Sequence, residues 1–265
     1  CIGNQAGYNT TANDNIFIGP NAGKNNTTGT VNLYLGKNAG LDATGGYDNI
    51  AIGQSAGQSM STGHDNILIG KNAGLSSSHA SNNYNVAIGE NALGDSTGAS
   101  FYNNIAIGQN AGKGQQSSFG IFMGYNSGST YGGYLNTDIG LQAGLFDSGQ
   151  GNVFIGGWEP GAGIASKTCN GRDNIGIGGL SMHKKVAASY CVCVGEGTGR
   201  VNEDGNKNTN IGYWSGYNSN IGVENVSVGA HSGQGGTYGI TIGDLNTFIG
   251  SYSGYVITTA HSNSM

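Results

Sequence analysis

Proline is nearly absent, with two residues in the whole chain. That excludes collagen and proline-rich linkers, both of which depend on it. Charge is scarce as well: 9% of residues are Asp, Glu, Lys or Arg, where ~25% is usual. The longest basic stretch is Lys184–Lys185, and the formal net charge is −5. A phosphate backbone would be a poor partner for such a surface, so no nucleic acid is expected. No apolar run approaches the ~20 residues of a membrane-spanning helix, so no membrane insertion is expected either. No secretion signal is visible. The chain opens inside a repeat, CIGNQAG, which suggests a piece of a longer protein. Cysteine is limited to Cys1, Cys169, Cys191 and Cys193. The C-x-C pair has no matching second pair, which argues against zinc and for small buried residues with free thiols. Hydrophobic residues make up 36% of the chain and are thinly spread. A thick core cannot be built from them, but a thin core repeated many times can.

What is abundant is glycine, 52 of 265 residues against a usual ~7%. Its placement is periodic. DNIFIGPNAG (14–23), DNIAIGQSAG (48–57) and DNILIGKNAG (65–74) are one phrase rewritten. The glycine of the IG step recurs at Gly3, Gly19, Gly36, Gly53, Gly70, Gly89, Gly108, Gly124, Gly140, Gly156, Gly178, Gly195, Gly212, Gly229 and Gly250, at intervals of 16 to 22 residues. An aliphatic residue or Met precedes each of these anchors, and two positions earlier comes another, mostly β-branched residue (Ile16, Ile50, Ile67, Val86). The residue between them varies from Phe17 and Ala51 to Asp138 and Asn210. This is alternation with period two, so each copy contains a short strand with one side buried.

Four residues before the anchor stands Asn: Asn15, Asn32, Asn49, Asn66, Asn85, Asn104, Asn136, Asn152, Asn174, Asn208, Asn225 and Asn246, with Gly120 and Cys191 as exceptions. Stacked in register, these amides form a hydrogen-bonded ladder. The anchor glycine and the glycine four residues later (Gly23, Gly40, Gly57, Gly74) suit turns of positive φ. Before the second glycine sits Ala, Ser or Thr in all copies but the one at Glu159, implying a tight corner or a close neighbouring chain. One copy is too thin to bury its own strand and must stack on the next. The expected fold is therefore all-β, a parallel β-solenoid of about fifteen coils over residues 1–254, with a tail at 255–265. At ~4.8 Å per coil it would be a rod of roughly 70 Å.

NIAIGQSAG and NILIGKNAG resemble the head repeats of trimeric autotransporter adhesins. The longer stretch YNTTANDNIFIGPNAGKNNTTGTVNLYLGKNAG (8–40) resembles repeats of phage and other viral tail fibres, with N-T-T-G turns between N-x-x-I-G-x-x-A-G strands. The resemblance covers residues 1–254, departing where the copies near Gly124, Gly178 and Gly195 lose the Asn, the Ala or the second Gly. It implies a left-handed β-roll, a side-by-side homotrimer and an extracellular location on a virion or cell surface. It also implies attachment to a host glycan or receptor, with the viral reading favoured by the N-T-T-G turns. A structural spacer without its own ligand is the alternative, and the uniform first five copies suit it.

Longer intervals at 75–84, 94–103, 157–173 and 234–245 mark candidate loops. With aromatics gathered in the second half, they give the candidate ligand residues Trp158, Glu159, Arg172, Asp173, Tyr213, Trp214 and Tyr238. Aromatic faces beside polar rims suit sugars, or they pack between coils or between chains. GYNSG (124–128), GYWSG (212–216) and GAHSG (229–233) mimic nucleophile turns but read G-x-x-S-G, with the serine at the small-residue position of the repeat. The carboxylates are scattered, without the pairing a glycosidase needs. Asp14, Asp48, Asp65 and Asp173 are read as solvating turns rather than holding calcium, and the five histidines as lone surface residues. No catalysis, metal or cofactor is expected. Asn9, Asn25 and Asn26 lie in N-x-[S/T] sequons in turn regions open to glycosylation, whereas Asn225 belongs to the ladder.

Overall fold

The computed structural model describes residues 1–75, 82–95, 102–114, 118–129, 133–157, 171–183, 187–200, 205–218, 222–235 and 243–255. It is an all-β solenoid built in two compact units, residues 1–134 and 135–265. The first unit holds β1 (Ile16–Ile18), β2 (Leu33–Leu35), β3 (Ile50–Ile52), β4 (Ile67–Ile69), β5 (Val86–Ile88), β6 (Ile105–Ile107) and β7 (Ile121–Met123). The second holds β8 (Thr137–Ile139), β9 (Val153–Ile155), β10 (Ile175–Ile177), β11 (Val192–Val194), β12 (Thr209–Ile211), β13 (Val226–Val228) and β14 (Thr247–Ile249). Within each unit every strand pairs in parallel with the next, so that Ile50 faces Ile67 and Val192 faces Thr209. The copy at Gly3 contributes a single parallel bridge, Ile2 to Ile18.

Strands of three residues look too short to hold a sheet, but the turns stack as well. Gly53 N donates to Leu35 O (2.8 Å), Ser55 N to Lys37 O (2.9 Å) and Gly57 N to Ala73 O (2.9 Å), each across to an adjacent coil. The backbone groups freed by the turn are thus satisfied by the same turn in the next coil. The anchor glycine is required there: Gly53 has φ +131°, and a Cβ on it would lie 2.5 Å from Gly70 O.

Alternation leaves open which face of the strand is inside, and the folded coil decides it. The buried side belongs to the variable middle residue, not to the aliphatic pair. Phe17, Tyr34, Ala51, Leu68, Ala87, Ala106 and Phe122 fill the interior of the first unit, while Ile16, Leu35, Ile50, Ile67, Ile88, Ile105, Ile107 and Met123 are more than a third exposed. The small residues Ala22, Ala39, Ala56 and Ala73 are fully buried within the single chain, which settles the tight corner over the neighbouring chain. The narrow interior is filled by compensation across each coil. A Cβ at Gly40 would run into the Tyr34 ring, so a large middle residue forces glycine there. Where the middle residue is Ala87 or Gly176, that glycine is replaced by Leu93 or Met182, both fully buried. After Ala51 the glycine is kept as Gly57, and the space is taken instead by the buried Met60, whose methyl would lie 3.2 Å from a Cβ on that glycine.

At the edge of the interior run the asparagines. Asn49 Nδ2 donates to Asn32 Oδ1 (3.0 Å) and to Gly63 O (2.7 Å), while Asn49 Oδ1 accepts from Asn66 N (3.1 Å) and Nδ2 (2.9 Å). Cys191, an exception to the Asn pattern, uses its thiol similarly, with Sγ donating to Gly205 O (3.3 Å). Asn26 is fully buried, which corrects its reading as an accessible glycan acceptor.

Candidate functional site

After each strand the anchor glycine opens a turn whose second residue is left-handed. In the first unit that row is mostly asparagine, a residue that tolerates αL. Asn21, Asn38, Asn72, Asn91, Asn110 and Asn126 have φ between 54° and 60°, and neighbours are linked, as in Asn110 Nδ2 to Asn126 Oδ1 at 2.9 Å. In the second unit the described residues of the same row are Gln142, Leu180, Gly197, Trp214, His231 and Tyr252. The three ring-bearing residues keep φ at 55°, 56° and 58°, a conformation that bulky side chains disfavour. Successive rungs remain bonded: Trp214 N donates to Glu196 O (2.9 Å), His231 N to Tyr213 O (2.8 Å) and Tyr252 N to Ala230 O (2.9 Å).

The rings form one connected group. Trp214 is stacked with Tyr213 (centroids 5.5 Å, 19°) and with Tyr217 (4.6 Å, 8°). His231 stacks on Tyr252 (4.8 Å, 12°) and meets Trp214 edge-on at 5.9 Å. Tyr255 packs against Tyr252 at 5.5 Å. Arg200 closes one side, its guanidinium 5.5 Å from the Tyr217 ring centre and its Nη1 donating to Tyr217 Oη at 2.7 Å. His231 Nδ1 lies 2.7 Å from Gln234 Oε1. The indole of Trp214 covers Gly197, where a Cβ would come within 2.7 Å of it. Tyr213, Tyr252 and Tyr255 remain about half exposed.

Of the residues singled out in the sequence, Tyr213 and Trp214 thus belong to a cluster. Arg172 and Asp173 lie in the turn leading into β10, both exposed. No hydrogen bond, ion pair or ring contact among the described residues joins them to the cluster. Trp158, Glu159 and Tyr238 lie outside the described residues, as do most of the four long intervals. His231 is not a lone surface histidine but sits between rings. His64 likewise stacks on Tyr47 (4.6 Å, 4°) and lies 2.8 Å from Asp65 Oδ2. The missed signal was registration: aligning the repeats on the anchor glycine puts Trp214, His231 and Tyr252 in one column.

The serines of the G-x-x-S-G strings face inward. Ser215 Oγ donates to Ser227 O (2.8 Å) and Ser232 Oγ to Phe248 O (3.0 Å), so both hydroxyl protons are engaged with backbone. A carboxyl pair that sequence reading missed is buried in the second unit. Asp138 takes the middle position of β8, and burial, then the nearby Asp147, raises its pKa well above the usual range. Burial pushes Asp147 up to about 7, against opposing hydrogen bonds from Gly149 and Asn152. Both are sealed from solvent, which suits neither substrate nor ion. Among the described residues no group of three His, Cys, Asp or Glu could hold a metal ion, and no helix is long and apolar enough to cross a membrane. Comparison with protein-family models, with curated proteins and with solved structures gives no match.

Proposed function

We propose that this chain is a binding module of an extracellular fibre, whose copies associate side by side as a homotrimer and attach a virion or cell to a host glycan or surface receptor. The observation that carries the reading is the outward pair on the strands, aliphatic or Met throughout the first unit and, apart from Thr137, Thr209 and Thr247, in the second. A soluble surface rarely repeats apolar side chains in a continuous stripe unless something covers it. The cover that matches a coil-by-coil period is another solenoid of the same period. Resemblance to tail-fibre and adhesin-head repeats supplies the number of copies and the setting. Multiple copies give avidity, so each attachment site can be weak. The asparagine-rich row of the first unit, interrupted only by Gln5 and Ser55 among the described residues, favours a second reading for that unit alone, a spacer holding the binding part away from the surface.

The test is the native mass in solution by light scattering, followed by binding of the labelled particle to host cells. Three times 26.9 kDa is expected, falling to a single chain when Ile52 and Ile69 are changed to Asp. A monomer at all concentrations refutes the fibre. A trimer that binds no surface leaves only the spacer.

A further inference from the structure

We infer that the aromatic cluster of the second unit is a docking site for a neutral pyranose. The inference rests on the attachment reading and names the ligand class. Three observations carry it. First, Trp214, His231 and Tyr252 occupy a left-handed row that asparagine fills in the first unit. Asparagine and histidine tolerate this conformation, whereas tryptophan and tyrosine adopt it less readily, so Trp214 and Tyr252 carry strain of a kind that gathers at ligand-binding positions. Second, the rings are braced. Trp214 is stacked against Tyr213 and Tyr217, and His231 against Tyr252. The half-exposed tyrosines are therefore held in place before a ligand arrives, which limits the ordering cost of binding. Third, the rim is polar and nearly balanced in charge: Arg200 is held by Tyr217, Glu196 is exposed beside Gly197, and Gln234 is bonded to His231.

Apolar ring faces bordered by amide, hydroxyl and imidazole groups match the C–H face and equatorial hydroxyls of a sugar ring. A nucleic-acid stacking platform would need a basic groove, whereas the chain carries a net charge of −5.

The test uses the native chain and a printed array of neutral oligosaccharides (glucose, galactose, mannose and their N-acetylated forms) beside sialylated and uronate-containing ones. The variant is Tyr213→Gln with Tyr252→Asn. Both side chains are exposed, and each takes a residue found in its own row of the first unit, Gln54 and Asn72. The variant should therefore fold at least as well. The expected result is binding of a neutral glycan, confirmed by titration with tryptophan fluorescence and weakened about tenfold or more in the variant, the factor that 1.4 kcal/mol represents. Binding confined to acidic glycans overturns the inference. So does the absence of any glycan binding, or binding that the variant leaves intact. A variant that changes the native mass overturns it as well, since the cluster would then be covered by another copy. A single chain that still binds sugar through these tyrosines removes the fibre and keeps the site.

Discussion

Leu68 and Ile67 are neighbours on β4, similar in size, and on opposite faces. Leu68 is 2% exposed and Ile67 39%. Truncating Leu68 to alanine removes a side chain whose methyls lie against Gly57 and Gly74, where a Cβ would sit 3.0 and 2.7 Å away. Neither glycine has a side chain to move into the void, so the cavity persists and the loss belongs in the upper part of the usual range, about 3–5 kcal/mol. Ile67→Ala removes a side chain only partly withdrawn from water, worth about 1 kcal/mol in a single chain. Urea unfolding at several protein concentrations separates the two. The Leu68 loss should be independent of concentration. Any larger Ile67 loss should appear only where copies associate, because association alone buries that face. If dilute Ile67→Ala is as unstable as Leu68→Ala, the assignment of inside and outside is wrong.

Asn49→Ala takes away the side-chain partner of the Asn66 backbone N–H and of the Gly63 carbonyl, while Asn66 Nδ2 keeps Asn82 O. At ~1–3 kcal/mol for each orphaned group, unfolding should be about 3 kcal/mol easier, seen as a lowered thermal midpoint. The Asp147 carboxyl has a folded pKa of about 7, raised from 3.8, so the folded state holds its proton more tightly than the unfolded chain. Its contribution is fully present below pH 3.8 and is lost as pH rises through 7. The second unit should therefore be harder to unfold in urea at pH 5 than at pH 8, and Asp147→Asn should weaken that dependence while the part that burial gives Asp138 remains. Gly53→Ala meets both a positive φ and the Gly70 carbonyl, whereas at Gly45 the nearest atom is Thr28 Oγ1 at 3.3 Å. Gly53→Ala should cost about 3 kcal/mol or more and Gly45→Ala about 0.5 or less, compared by thermal melting.

The sequence by itself determined the repeat, the position of each strand, the glycine turns and the column of asparagines. These depend on backbone conformation and coil-to-coil registration, which one residue per copy can specify: glycine where φ is positive, asparagine where an amide meets its own kind one coil away. It did not determine which side of the strand is inside. Alternation with period two separates two faces and is symmetric between them, so Ile67 and Leu68 read alike until the coil closes. Closure makes the interior narrow, so middle residues vary in size as the opposite position compensates, Tyr34 with Gly40 and Ala87 with Leu93. The outward pair stays β-branched or aliphatic, with Thr137, Thr209 and Thr247 as its polar members, because no such compensation acts on it. Tertiary structure also brought Arg200 to Tyr217, His231 to Trp214 and Tyr252 to His231. Residues 17 to 21 apart in the chain become neighbours only when their coils stack, and only then does a scattered set of rings become one surface.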